Sequence, residues 1–312
     1  MIWLIWRQHR GQFGIAAIGL VALSIVLVVS GLHIASVYHA ALASCAQTNS
    51  CNNLGPQVFA GDGFFFDLVN LTLAVPLLVG MFWGAPLVAR EVEQGTNRLV
   101  WTQTVTRTRW LFAKLGCVFG VAIIWGGLLS LIVTWWSGPE NAIDYTRFTP
   151  GQFDLQGIVP LAYSLFAVSV GIAAGSLIRR TIPAVAVTVG VFVGIRLLVT
   201  DFVRQHFIPP VTKAFPVGSH LDLVRQNVWT LSAHTIVRAG HVLSHPQLPH
   251  ACRGLQGTAR YACISGSGLR QLITYQPGSR YWLFQGIETS IFLLCSTILV
   301  IISVHWVVRH DA

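Results

Sequence analysis

Six stretches of this chain run for a membrane's thickness with almost no charge, and nothing else in the sequence limits the fold as strongly. They lie at 13–34, 68–88, 115–136, 158–178, 182–200 and 282–304. A helix needs about 20 apolar residues to cross the hydrocarbon core. Inside that core every backbone N–H and C=O must be satisfied within the segment, so each stretch reads as a spanning helix. Only Arg196 and Glu288 place a formal charge inside a span. The expected fold class is therefore all-α, a polytopic membrane protein with six transmembrane helices and a large extracytoplasmic loop between helices five and six. Composition agrees, because 10% of the residues are charged where soluble domains carry roughly 25%.

A formal charge of +9 would suit nucleic acid, but its distribution does not. Ten cations fall in the short segments of one face: Arg7, Arg10, Arg90, Arg98, Arg107, Arg109, Lys114, Arg179, Arg180 and Arg309. The short loops of the other face hold only Arg147. Cations collect on the cytoplasmic side of short loops, so both termini are expected in the cytoplasm of a multi-pass cell (plasma) membrane protein. The segment 201–280 carries eight cations, but loops beyond about 60 residues report topology poorly. The chain then divides into 1–200, with helices one to five; 201–280, the outer loop domain; and 281–312, the sixth helix and a cytoplasmic tail. Leu42-Ala43-Ser44-Cys45 mimics a lipoprotein cleavage box, but the apolar run before it has the length of a full span. Ile2, Trp3, Ile5 and Trp6 beside Arg7 and Arg10 fit an N-terminal interfacial helix; a frayed basic tail fits them as well.

Spans two and three flank a compact polar segment, 89–114, with five cations and two carboxylates. It reads Glu91-x-Glu93-x-Gly95-Thr96, then an apolar stretch at Leu99, then Thr106-Arg107 and Lys114. Gly95 can end a helix in the left-handed conformation, and Thr96 and Thr106 can cap the pieces that follow. By chemistry alone this is either a stiff lever or an ordinary basic loop. The pattern resembles the first cytoplasmic loop of permease subunits of type-2 ATP-binding-cassette (ABC-2 type) exporters. Tyr275-x-Pro277-x-Ser279-Arg280-Tyr281-Trp282, followed by Phe284-Gln285 and Glu288, resembles an actinobacterial-like subgroup of them. Together the resemblance covers roughly 1–114 and 158–312.

That resemblance implies an ATPase-coupling segment built on Arg90, Glu91, Glu93, Gly95, Thr96, Arg98, Thr106 and Arg107, with the two carboxylates meeting cations of a partner. It implies two copies of a separate P-loop ATPase that bind ATP and Mg, a second permease copy in a homodimer, and surrounding membrane lipid. No cofactor in this chain and no nucleic acid are expected. A hydrophobic or amphipathic substrate would leave outward. The alternative is a non-transporting sensor or assembly subunit that uses the outer loop as a receptor.

The remaining chemistry points the same way. The only lysines are Lys114 and Lys213, and neither follows glycine, so no Gly-Lys phosphate loop exists. No histidine precedes glutamate, which excludes the His-Glu-x-x-His zinc motif. Ser265-Gly266-Ser267-Gly268 reads as a linker. His241, His245 and His250 are interrupted by Pro246 and Pro249, and no metal site is expected. Cys45, Cys51, Cys252 and Cys263 all fall outside the membrane, where disulfides persist. The pairs Cys45–Cys51 and Cys252–Cys263 need the least loop closure, though four cysteines allow three pairings. Leu221, Val224, Val228 and Leu231 stand at helical spacing, so a short helix is expected over 221–237. Arg196 and Glu288 lie at similar depth near the outer ends of consecutive spans, which suggests a direct ion pair; the plainer reading has Arg196 snorkel to headgroups.

Overall fold

A computed structural model describes residues 2–48, 54–59, 61, 63–95, 107–216, 226–236, 252, 254–255, 259, 263, 266 and 269–310. Six of its helices are long and apolar enough to cross a membrane: Ala17–Gln47, Gly63–Glu93, Thr108–Trp136, Val159–Ile178, Thr181–His206 and Gly278–Arg309. They coincide with the six expected stretches, and most continue beyond them. The first is part of one unbroken helix, Ile2–Thr48. At 1.5 Å per residue it extends about 70 Å, well past a bilayer of about 45 Å. The N-terminal residues from Ile2 on are thus continuous with the first span and do not form a separate interfacial helix.

The fourth span is the axis of the bundle. Fifteen of its twenty residues are buried, and it packs against spans two, three, five and six. Its closest neighbour is the second span, which is not regular. The second span passes through a 3₁₀ turn at Thr72–Ala74 and a π turn at Gly80–Gly84, closed by Ala85 N–H donating to the Gly80 carbonyl at 3.0 Å. Pro76 and Pro86 lack the N–H that a regular ladder needs. Gly171 lies against Gly80, Gly84 and Ala85, and Gly175 against Ala85. A Cβ on Gly84 would lie 2.7 Å from the Val168 carbonyl oxygen, and one on Gly171 would lie 2.6 Å from the Gly80 carbonyl oxygen. The two backbones therefore touch through a Gly-x-x-x-Gly on each helix. Lipid supplies no hydrophobic drive between helices, and such close backbone packing is what replaces it.

Between spans three and four the chain makes a hairpin of two short helices, Gly138–Ile143 and Pro150–Leu155. Between spans four and five it turns at Arg179, left-handed with φ 60°. The segment between spans five and six departs from the all-α expectation. Its described residues hold three strands, β1 (Val211–Pro216), β2 (Trp229–Ile236) and β3 (Arg270–Gln276), in the antiparallel order β1-β3-β2. Strand β2 lies inside the stretch expected to be helical. Trp229, Thr230, Thr235 and Ile236 are β-formers, and pairing with β3 outweighs the chance helical spacing of Val228 and Leu231; residues 221–225 lie outside the described ones. Cys252 and Cys263 form the expected disulfide. Cys45 is also disulfide-bonded, and its expected partner Cys51 lies outside the described residues.

The Tyr275–Trp282 run is a joint between sheet and membrane. Gln276 donates to the Ile208 carbonyl at 2.6 Å, and Arg280 donates to the Pro209 carbonyl at 2.9 Å and to Gln276 Oε1 at 2.8 Å. Gly278 backs directly onto the Gln226 carbonyl, leaving no room for a side chain. One turn into the sixth span, fully buried Gln285 spends its whole amide on the chain break before span four. Its oxygen accepts from Ile158 N–H at 2.9 Å and Val159 N–H at 3.0 Å, and its nitrogen donates to the Gln156 carbonyl at 3.0 Å.

Candidate functional site: the end of span two and the buried charge cluster

The second span ends in the helix Pro86–Glu93, and the acid-x-acid pattern sits on its last turn. Residues two apart on a helix face different directions, and here they reach different spans. Glu91 Oε1 lies 2.5 Å from Lys114 Nζ of the third span. Lys114 is 1% exposed; it also donates to the Leu87 carbonyl at 3.2 Å and stands 4.4 Å over the Trp110 ring one turn back. Glu93 is exposed and turns to the fifth span. Its Oε2 accepts the Thr181 N–H at 3.0 Å and the Thr181 hydroxyl at 2.7 Å. Thr181 is the first residue of that helix, so Glu93 caps an orphan donor and sits at the positive end of the helix dipole.

Both carboxylates expected to reach toward a partner thus bind groups of this chain. Arg90, just before them, is exposed. Gly95 ends the helix with φ +68°, as its chemistry required. Thr96, Arg98 and Thr106 lie outside the described residues. Arg107 opens the third helix, and its side chain is outside the description.

A second constellation lies at the other end of the fifth span. Sequence spacing suggested a direct Arg196–Glu288 pair, and the structure gives each a different partner. Glu288, 0% exposed, binds Arg204: Nε to Oε2 at 2.7 Å and Nη2 to Oε1 at 2.8 Å. Arg196 Nη2 binds Asp154 Oδ2 at 3.0 Å, and Nη1 donates to the Leu73 carbonyl at 3.1 Å. Arg204 also pairs with Asp154, which joins the two halves. The Tyr163 hydroxyl lies 2.5 Å from Glu288 Oε1 and 3.2 Å from Asp154 Oδ1. Arg196 stands over the Tyr163 ring at 4.9 Å, and Arg204 over the Phe153 ring at 4.4 Å.

The correction has a plain cause. The fifth helix does not end near Thr200; it winds through a π turn, Val199–Val203, on to His206. Arg204 therefore faces the sixth span. Likewise, Asp154 rides on the helix Pro150–Leu155 and is only 6% exposed. Two arginines and two carboxylates balance formally. Charges in a membrane interior must be paired in this way, and a buried pair survives only when its remaining donors and acceptors are also met.

Beside this cluster a cleft of about 370 Å³ opens between spans two and five, with apolar walls from Leu73, Leu77 and Phe192. Arg196, Asp154 and Thr200 form its polar lining. Among the described residues no group of three or more His, Cys, Asp or Glu side chains is placed to hold a metal ion.

Residues 17–204 match the family model described as ABC-2 membrane transporter related. No curated protein matches the chain. No solved structure matches it either.

Proposed function

The chain belongs to the ABC-2 membrane transporter related family, and we propose that it is the permease subunit of an exporter that moves a hydrophobic or amphipathic substrate outward. Membership makes it the membrane component of a transporter, one that works with an ATPase subunit and does not hydrolyse ATP itself. In our reading both termini face the cytoplasm, two ATPase copies carry the ATP and Mg, and a second permease copy completes a homodimer.

One observation carries the reading: the two spans that line the cleft are tied to each other at their inner ends. Leu73 and Leu77 belong to span two, Phe192 and Arg196 to span five. Glu93 at the end of span two caps Thr181 at the start of span five. A push on the 89–114 segment by a closing ATPase is then felt by both walls at once. The Glu91–Lys114 pair passes the same push to span three. Apolar walls with a charged corner suit an amphiphile, its tail along Leu77 and Phe192 and its polar head near Arg196.

The test is reconstitution with the ATPase that co-purifies from native membranes, followed by a screen for amphiphiles that stimulate ATP hydrolysis. Leu77→Trp, which fills the cleft, is expected to abolish the stimulation and leave basal hydrolysis in place. Stimulation that survives the filled cleft moves the substrate path elsewhere.

A further inference from the structure

The charges of the buried cluster balance in number but not in place. Arg204 is spent inside the protein: Glu288 holds its Nε and Nη2, and Nη2 also reaches Asp154 and the Tyr163 hydroxyl. Glu288 is 0% exposed and takes no part in the wall of the cleft between spans two and five. Asp154 is divided between two arginines, with Oδ1 toward Arg204 and Tyr163 and Oδ2 toward Arg196. Arg196 therefore has only a shared counter-ion, and it is the arginine that lines the cleft.

The hydrogen bonds are uneven in the same sense. An arginine carries five N–H donors in a planar fork. Arg196 spends one on Asp154 Oδ2 and one on the Leu73 carbonyl, and its face lies on the Tyr163 ring. Among the described residues it has no further partner, so three of its N–H groups, that of Nε included, are left to give. Thr200 follows Arg196 by one helical turn on the same wall. Its Oγ1 accepts from Arg204 at 3.3 Å, which leaves the hydroxyl proton to donate. Asp154, the one carboxylate on the wall, already accepts three hydrogen bonds. The unspent polar capacity of the cleft is thus almost wholly that of donors.

We propose that the cleft selects membrane amphiphiles with an anionic oxygen head, a phosphate or carboxylate, against cationic ones, and that Arg196 and Thr200 make the selection. This deepens the reading of the cleft as the substrate site and rests on it. Guanidinium donors and anionic oxygens form charge-assisted bonds, and the planar fork can offer two of them in parallel. A quaternary ammonium head would meet a cation and unused donors, and would find its only carboxylate engaged. The rest of the wall is apolar, from Leu73, Leu77, Phe192, Val193 and Leu197. Leu197 is itself exposed, so the cleft opens sideways, toward the surface that meets lipid. The ligand therefore arrives by its chain from the bilayer, and a free anion lacks the part that these walls would hold.

The experiment uses the purified full chain in a neutral maltoside detergent. Two photoreactive probes share one diazirine-bearing dodecyl chain; one ends in a phosphate monoester, the other in trimethylammonium. Adducts are mapped by peptide mass spectrometry. The phosphate probe should label 73–77 and 192–200 at least about 10-fold more than the ammonium probe, the worth of one charge-assisted hydrogen bond. Dodecyl phosphate should compete, and inorganic phosphate should not. Arg196→Lys keeps the charge and loses the fork, and should cut the preference by about 10-fold. Thr200→Val leaves every charge its partner and should lower phosphate labelling by about 3-fold. Labelling at Leu294, exposed on span six, should be alike for both probes and unchanged in both variants. Equal labelling of the cleft by the two probes, or a preference indifferent to both substitutions, overturns the selection. Competition by inorganic phosphate overturns the amphiphile in favour of a free anion, and no labelling at these segments overturns the site. Because no ATP hydrolysis is read, each of these failures is distinct from failure of the permease reading.

Discussion

At its Thr181 end the fifth span is held by one exposed carboxylate; at its Arg204 end two arginines are sunk among buried acids. Glu93 contributes two hydrogen bonds to Thr181 in reach of water. Arg204 and Glu288 are 1% and 0% exposed, and Asp154, Arg196 and Tyr163 close around them. An exposed carboxylate exchanges its partners for water at little cost. A buried charge cannot leave its partner without a large penalty. The same helix is therefore anchored firmly at its Arg204 end and tied loosely at its Thr181 end, the arrangement a lever needs if, as proposed, an ATPase pushes on the Thr181 end.

The anchor should show the largest effect. Arg204→Met leaves Asp154 and Glu288 with only Arg196 to balance them, and should cost roughly 3–5 kcal/mol. The expected outcome is poor accumulation in the membrane or a steep loss of thermal stability in detergent. The double variant Arg204→Met with Glu288→Met should recover much of it, because Asp154 and Arg196 still balance. If Arg204→Met is no worse than a change at Glu93, the Arg204 end is no anchor and the comparison collapses.

The Lys114 tie comes next. Lys114→Met strands Glu91, but Glu91 is 13% exposed and water can reach it. The expected loss is about 2 kcal/mol, between the net worth of a charged hydrogen bond and that of a fully buried pair. Thermal unfolding of the two variants side by side ranks them directly.

Much of this fold could be read from the sequence, and the unread parts share a cause. Six spans are legible because 20 residues without charge leave the backbone no alternative to a helix. Their ends are not, because a helix continues past the hydrocarbon wherever its ladder is satisfied, and that carried Arg204 out of its assigned loop. Asp154 stayed hidden because its burial depends on three cations and acids from other segments, which no local pattern announces. The glycine pairs Gly80/Gly84 and Gly171/Gly175 went unread, because a Gly-x-x-x-Gly spacing names no partner. The acid-x-acid pattern was visible as well, and sequence cannot tell an intrachain cap from a docking contact.

A smaller stability effect but a sharper functional one belongs to Glu93. Glu93→Ala removes one cap and should cost about 1 kcal/mol. In the reconstituted complex it should lower transport per ATP hydrolysed while the protein stays in the membrane. Thr181→Val removes the hydroxyl from the same tie and should lower transport in the same direction. A silent Thr181→Val beside a crippled Glu93→Ala would show that Glu93 acts on the partner and not on span five.

The smallest effect is the pH dependence of the hairpin between spans three and four. Burial and Asp144 raise the Glu140 carboxyl to about 7 from 4.5, and burial raises Asp144 as well. A carboxyl raised on folding favours the folded state most below its unfolded value, and that advantage is lost as pH climbs through the folded value. The thermal midpoint should therefore decline between about pH 5 and pH 8, by only about 2 °C because the group is partly hydrated. Glu140→Gln should flatten the decline, since it carries no proton to lose. A decline of equal slope in parent and Glu140→Gln assigns the titration to other groups and leaves the hairpin without a part in the pH response.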